Sequence, residues 1–400
     1  VLRMAEALAP KYHVVVANPP YMGRRNMNGR LASWLEKNYK NSKSDFFSSF
    51  ISRVFLLGQP RSQIGLMSPN VWMYISAYKS LRSKIIREKT ITNFFELPLS
   101  AFKAATVQIC GFTLTNDKPA GRRGAFLRLT GFSGGDDEMS QYVREAAANE
   151  KVPWRYDARP EDFSRIAGSP MAYWLGETVF EFLKEASTLA EIGDPRMGLA
   201  TGLNAKYVRT WHETSANGIG FGLGNREEAK KTGRRWFPYS KGGAFRKWYG
   251  NNEHVVDWLD DGRELQTTMH PDGKRIWAHN FNLDKIFRDS ITWSDITSGN
   301  LSVRANESGF LFDGTGTSAF FNAPEDKMFS LALLNTSFAK SFSKALNPTL
   351  HFQTGDFRNF PYKPVQNATV SANAHNLISV ARSDWDAYET SWDFTTLPLL

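Results

Sequence analysis

The chain is predicted to be α/β, the carboxyl half of a doubly wound sheet followed by a separate α+β domain. Three observations carry this. Up to about Lys118, short apolar strand-like runs alternate with amphipathic helical stretches. From Asn116 to about Pro170 that periodicity breaks into polar pieces such as Lys118-Pro119-Ala120-Gly121-Arg122-Arg123-Gly124 and Gly134-Gly135-Asp136-Asp137-Glu138, punctuated by Pro153, Pro160 and Pro170. From Met197 to Tyr362, short strand-like pieces alternate with turns.

Taken in order, residues 14–17 are a β-branched run that stops at Asn18-Pro19-Pro20-Tyr21, which reads as a buried strand emptying into a rigid loop. An amphipathic helix follows at 44–57, its start marked by Asn41-Ser42-Lys43-Ser44-Asp45, so that Asp45 reads as a helix-start residue. A strand at 64–67, a helix at 77–88 and strands near 93–97 and 107–115 complete the first part, the last two as an antiparallel hairpin. A sheet of these strands alone would expose an apolar edge. A connector with one short helix near 140–148 is expected next, then a core helix over 172–189 (Trp174, Val179, Phe180, Leu183) and an amphipathic helix over 329–345. The expected divisions are 1–118, a connector at 119–170, a domain at 171–365 and a tail at 366–400.

Composition narrows the function classes. No run approaches eighteen apolar residues and no charged-then-apolar leader opens the chain, so neither a membrane span nor a signal peptide is expected. One cysteine rules out an internal disulfide framework and fits a reducing cytoplasm; Cys110, in the strand-like run 107–112, reads as a buried small hydrophobe. The seven histidines are scattered, so no metal is expected. Asp272, Glu325 and Asp326 are too loosely spaced to read as a magnesium nuclease set. Gly218, Gly220, Gly222 and Gly224 have no strand before them and read as a flexible loop.

Lys and Arg exceed Asp and Glu by nine (49 against 40), which points to a polyanionic partner. Residues 226–250 hold eight basic side chains against two acids, interleaved with Trp236, Phe237, Tyr239, Phe245, Trp248 and Tyr249. Within this stretch Arg234, Arg235, Lys241, Arg246, Lys247 and Trp248 are the candidates for nucleic-acid contact, through phosphate neutralisation and stacking.

The tetrapeptide suits attack by a weakly nucleophilic planar amino group. The Asn18 side-chain oxygen and the Pro19 carbonyl can accept the two amine hydrogens and stabilise the charge that develops on nitrogen. Pro19 and Pro20 fix φ and remove donors, and Tyr21 can stack on the ring that bears the amine.

These residues resemble the catalytic loop of the amino-group DNA methyltransferases of the N6-adenine class. Ser44-Asp45-Phe46-Phe47-Ser48-Ser49-Phe50-Ile51 resembles the helix that follows that loop, and Ile64-Gly65-Leu66-Met67-Ser68-Pro69-Asn70 the next strand and its exit. Phe95-Glu96-Leu97 with Ala101-Phe102-Lys103-Ala104-Ala105-Thr106-Val107 resembles the strand and loop that supply a second aromatic. Trp236-Phe237-Pro238-Tyr239, Lys241-Gly242-Gly243 and Arg246-Lys247-Trp248-Tyr249-Gly250-Asn251 are similar to the large methyltransferases of BREX phage defence (the PglX kind) and to single-chain restriction-modification enzymes.

The resemblance implies a class I, Rossmann-like methyltransferase sheet followed by a target-recognition domain, acting on duplex DNA with S-adenosylmethionine. It also implies a flipped-out adenine gripped between Tyr21 and Phe102, and other defence-system proteins as partners. In these enzymes a glycine-rich cofactor turn precedes the catalytic loop, and only seventeen residues stand before Asn18. The expectation is therefore the C-terminal part of a longer protein, inactive alone, with the cofactor bound mostly upstream and Asn18 as the candidate contact here. Two rival readings are a non-catalytic DNA-binding specificity module and an enzyme that methylates a protein amide or RNA.

Overall fold

Strand β4 (Ile109–Thr115) is the pivot of the first sheet, because it runs antiparallel between two neighbours that are parallel to each other in direction. The computed structural model describes residues 2–102, 107–119, 121–296, 300–347, 351–363 and 368–397. It divides into two compact units, Val1–Glu185 and Ala186–Leu400.

In the first unit the elements run α1 (Leu2–Leu8), β1 (Tyr12–Ala17), α2 (Gly29–Asn38), α3 (Phe46–Leu57), β2 (Gly58–Pro69), α4 (Lys79–Glu88), β3 (Thr90–Glu96), β4, β5 (Gly124–Arg128), α5 (Asp136–Ala148), β6 (Arg155–Ala158) and α6 (Glu177–Lys184). The sheet order is β1-β2-β4-β3-β5-β6, with β1 parallel to β2, β3 parallel to β5, and the remaining pairs antiparallel. One face carries the buried Ile64, Leu66, Phe94, Phe112, Leu114 and Phe126. Helix α3 packs beside β1 and β2, and α4 beside β3. They bring Phe47, Ile51, Val54, Leu81 and Ile85 into this core. Trp72, fully buried, touches Phe94 and Phe112. Gly111 lies under the Phe95 ring, where a Cβ would stand 2.1 Å from a ring carbon, so this strand position can only be glycine.

The strand at 14–17 forms, but it is not buried: Val14 and Val16 are 60% and 77% exposed. Strand β1 is an edge, and its outer face joins Gln63, Gly65, Thr113 and Thr115 around an open hollow of about 720 Å³. The expected apolar edge is thus present among the described residues.

Residues 119–170, read as a connector, instead extend the sheet. Strand β5 pairs with β3, β6 with β5, and α5 buries Met139 beside Leu97 and Leu129. Strands of four or five residues between Gly and Pro have little periodicity of their own; pairing with a distant strand creates them. The helix expected over 172–189 shrinks to α6. Met171 N donates to Met73 O and the Tyr173 hydroxyl to Glu96, and these long-range bonds hold 171–175 out of a helix.

The second unit contains two four-stranded sheets. One is ordered Leu311–Phe312, Trp236–Ser240, His254–Asp257, Val208–Thr210; the other Val303–Asn306, Ser290–Trp293, Ser318–Phe321, Gly193–Arg196. Tyr207, Phe237, Tyr239, Val256, Trp258, Phe287 and Phe312 share one core. The single helix expected over 329–345 is two, Pro324–Leu334 and Ser337–Leu346. The break has a local cause. Buried Asn335 turns its amide to strand Val303–Asn306, donating to Val303 O and accepting from Val303 N, while Thr336 caps the next helix. The tail expected from 366 is a helix, Ala368–Asp386, packed on Pro324–Leu334 and burying Trp385.

Arg82 stitches the first unit together. Fully buried on α4, its guanidinium donates to Trp72 O, Ile75 O, Gly168 O and Ser169 O at 2.7–3.2 Å. Burial lowers its pKa to about 10, so it stays charged at neutral pH. Arg82→Ala would leave several buried carbonyls without a donor, and a loss of about 3 kcal/mol or more is expected; urea unfolding of both proteins measures it.

Candidate active site

The carboxyl end of β1 delivers Asn18, exposed, then Pro19, buried, then Pro20 and Tyr21. The loop is held from behind by the start of α3. Met22 N donates to Asp45 Oδ1 (3.1 Å), Phe46 N to Met22 O (3.0 Å) and Arg24 N to Ser44 O (3.2 Å). The same Asp45 oxygen accepts from Phe47 N at 3.2 Å, capping the helix as its sequence position predicts. Burial raises the Asp45 pKa against the lowering effect of these N–H donors. Tyr21 sets its ring edge against Phe47, centroids 6.4 Å apart, and its hydroxyl donates to Asn18 Oδ1 at 3.1 Å. Partial burial, with a smaller contribution from Cys110, raises the phenol's pKa.

Asn18, Pro19, Pro20 and Tyr21 share one open depression of about 430 Å³ with Met67, Phe102 and Ile109. Tyr21 and Phe102, far apart in sequence, are 39% and 37% exposed there. The loop bearing Phe102 leaves β3 and returns as β4, and Leu97 N donates to Ile109 O at its base. Lys103 to Thr106 of that loop lie outside the described residues.

Beneath the depression lies a buried carboxylate that sequence reasoning did not single out. Glu96 Oε1 accepts from the Tyr74 hydroxyl (2.7 Å) and Asn70 Nδ2 (3.1 Å), and Oε2 accepts from the Tyr173 hydroxyl (2.6 Å). Asn70 in turn donates from Nδ2 to Gln108 Oε1 and from its backbone to Gln108 O. The network ties the exits of β2 and β3 to the entry of β4. Burial, then the Glu96 charge, pushes both phenols well above their usual range. The available signal was an acid inside the apolar run Phe94-Phe95-Glu96-Leu97. Cys110 is fully buried, and burial pushes its thiol up to about 12.

The basic stretch of the second unit is built into the fold more than its composition predicts. Arg235 pairs with Asp257 (2.7 Å), Lys241 with Asp313 (3.2 Å) and Arg246 with Asp384 (2.7 Å), Arg246 also lying over the Trp385 ring. Lys247 donates to Asn335 O and Arg234 to Ile219 O. Trp248 is half-buried at φ 73°, its backbone bonded to Val303 and Ala305. Phe237, Tyr239 and Tyr249 are core residues, and Phe245 remains exposed. The glycine series is also packed: Gly220 N donates to Trp236 O, and a Cβ on Gly220 would meet the Phe237 ring at 2.5 Å. Among the described residues no group of three His, Cys, Asp or Glu side chains is placed to hold a metal, and no helix is long and apolar enough to cross a membrane.

Fold and site together define the catalytic-loop half of a restriction-modification methylase. Through residues 5–102 the chain belongs to the Eco57I restriction-modification methylase family. Along its whole length it is 36% identical to the adenine-specific methyltransferase PglX of Lacticaseibacillus casei (strain Zhang), covering 33% of that protein. It is likewise 31% identical to the adenine-specific methyltransferase BrxX of Escherichia coli O9:H4 (strain HS), covering 32%. The chain thus spans about a third of the length of these curated relatives. Among solved structures, the type IIL restriction-modification enzyme MmeI in complex with DNA matches 95% of this chain and 50% of its own with a TM-score of 0.59; at 10% identity the likeness is one of fold.

Asp45→Ala would remove both the cap of α3 and the acceptor for Met22. A destabilisation of about 1–2 kcal/mol is expected, read as a shift in the urea midpoint with an unchanged m-value.

Proposed function

We propose that this chain is part of an adenine-N6 DNA methyltransferase of restriction-modification or BREX-type phage defence that uses S-adenosylmethionine. The observation that carries the reading is the depression at the end of β1, in which an amide, a backbone carbonyl and two half-exposed rings converge. Tyr21 and Phe102 would hold the two faces of an extruded adenine, since an amine that is paired and stacked in a duplex is out of reach. Asn18 Oδ1, which accepts from the Tyr21 hydroxyl in the free protein, would exchange that donor for one amine hydrogen. The Pro19 carbonyl would accept the other. Both hydrogen bonds strengthen as the nitrogen becomes positive during attack, so they favour the transition state over the bound base. The extra proton then leaves the methylated nitrogen for solvent.

S-adenosylmethionine supplies the electrophilic methyl group when bound. Asn18 stands exposed at the end of an edge strand, open to a cofactor as well as to the amine, so it is the residue of this chain suited to touch both. The second unit would recognise DNA sequence. Arg234, Arg235, Lys241, Arg246, Lys247 and Trp248 enter that role only where an anion can compete with the partners they already hold; exposed ion pairs, worth under about 1 kcal/mol each, can be exchanged in this way.

Asn18→Ala in the parent enzyme is expected to cost about 3 kcal/mol or more in transition-state stabilisation. Transfer of labelled methyl from S-adenosylmethionine to DNA lacking adenine methylation measures it, and transfer near the wild-type rate would overturn the assignment. Tyr21→Ala and Phe102→Ala should each weaken capture of the extruded base by about 1–3 kcal/mol. A 2-aminopurine at the target position brightens on extrusion, and this signal should fall in both variants.

A further inference from the structure

A hairpin at residues 268–277 of the second unit has the construction of a nucleic-acid probe, although its sequence lies outside the basic stretch. Pro271-Asp272-Gly273 builds its tip. Proline sets φ at the first central position, Asp272 accepts from Lys274 N at 2.9 Å, and Gly273 takes φ 68°. Gly273 N donates to His270 O, His270 N to Arg275 O and Trp277 N to Thr268 O, so the two arms form a short antiparallel ribbon. The ribbon is firmly rooted. The Trp277 indole lies so close to Gly202 that a Cβ there would stand 2.3 Å away, His270 sets its ring edge against Trp277 at 5.3 Å, and His279 and Ala200 exchange backbone bonds.

Two properties of the ribbon have no use within the unit. Met269 and Ile276 are bridge partners, so both side chains leave on one face, and they are 50% and 41% exposed. Lys274 and Arg275 are exposed at the tip, and neither forms a salt bridge among the described residues. Arg235, Lys241 and Arg246, by contrast, are all ion-paired. The one carboxylate at the tip, Asp272, is engaged by His270 and by the Lys274 backbone.

We propose that hairpin 268–277 is a duplex-DNA contact of this protein, with Lys274 and Arg275 on phosphates and Met269 and Ile276 against the groove. The proposal rests on the reading of the chain as part of a DNA methyltransferase. A two-stranded ribbon is narrow enough to enter a major groove about 12 Å wide. A rigid root limits the ordering entropy lost on contact, and the two apolar side chains gain by leaving water.

The test is fluorescence anisotropy of a labelled duplex with the full 400-residue chain, titrated between about 50 and 200 mM salt. Lys274→Gln with Arg275→Gln should lower the slope of log affinity against log salt by about 2, since each phosphate contact contributes about 0.9. Met269→Ser with Ile276→Ser should weaken binding and leave the slope unchanged. Lys230→Gln with Lys231→Gln, which removes two exposed charges elsewhere in the unit, should change neither. Melting curves that match wild type exclude misfolding, as all four hairpin side chains are exposed. If wild type binds duplex and the Lys274/Arg275 variant loses no more than the Lys230/Lys231 variant, the hairpin is not a contact; wild type that fails to bind duplex overturns it too. The methyltransferase reading stands or falls separately, on methyl transfer by the Asn18 variant.

Discussion

The first unit depends on the insertion of β4 between β2 and β3. Strands β1, β2 and β3 all end at one edge of the sheet, and a connection from β3 into an antiparallel neighbour must start and finish at that edge. The loop bearing Phe102 therefore returns to where β1 delivers Asn18 to Tyr21. Had the strand after β3 run parallel, its connection would have crossed the sheet and left Tyr21 without an aromatic opposite. Gly111 serves this topology directly, since only a residue without a side chain admits the Phe95 ring onto the central strand.

Buried polar groups hold that edge in place. Glu96 gathers Tyr74, Tyr173 and Asn70, and Asn70 clamps Gln108. Arg82 collects four backbone carbonyls on the far side of the same helices and turns. Each is costly to bury and stable only when fully bonded, so each admits few alternative arrangements of the segments it joins. The loop at Asn18 to Tyr21 is held in a cheaper way, by backbone bonds and the doubly used Asp45 carboxylate, which leaves the two rings of the depression half-exposed. A rigid base with open aromatic faces is what capture of a planar ligand requires.

In the second unit most charges of the basic stretch are spent on the fold. Its cations meet Asp257, Asp313 and Asp384, residues distant in sequence, and its rings meet the core of their own sheets. A local count of charge and aromaticity cannot distinguish a surface that waits for a polyanion from one already neutralised by folding. The turn Pro271-Asp272-Gly273, with two cations directly after it, is a better guide, because a tight turn must project whatever follows it.

Much of the fold was legible in the sequence. Strands β1 to β4, helices α3 and α4 and the cap at Asp45 follow from runs of apolar residues, their period and the residues that stop them. The members of the candidate site, Asn18 to Tyr21 and Phe102, were legible through motif and resemblance. Strands β5 and β6, the shortened α6 and the break at Asn335 were not, because each exists through a hydrogen bond to a distant segment: β3, Glu96 and Val303 respectively. By itself, then, the sequence determined which residues carry chemistry and which segments are strand or helix. The tertiary structure alone decided that Tyr21 and Phe102 share one depression and which cations stay free, because both depend on contacts between residues that the chain keeps far apart.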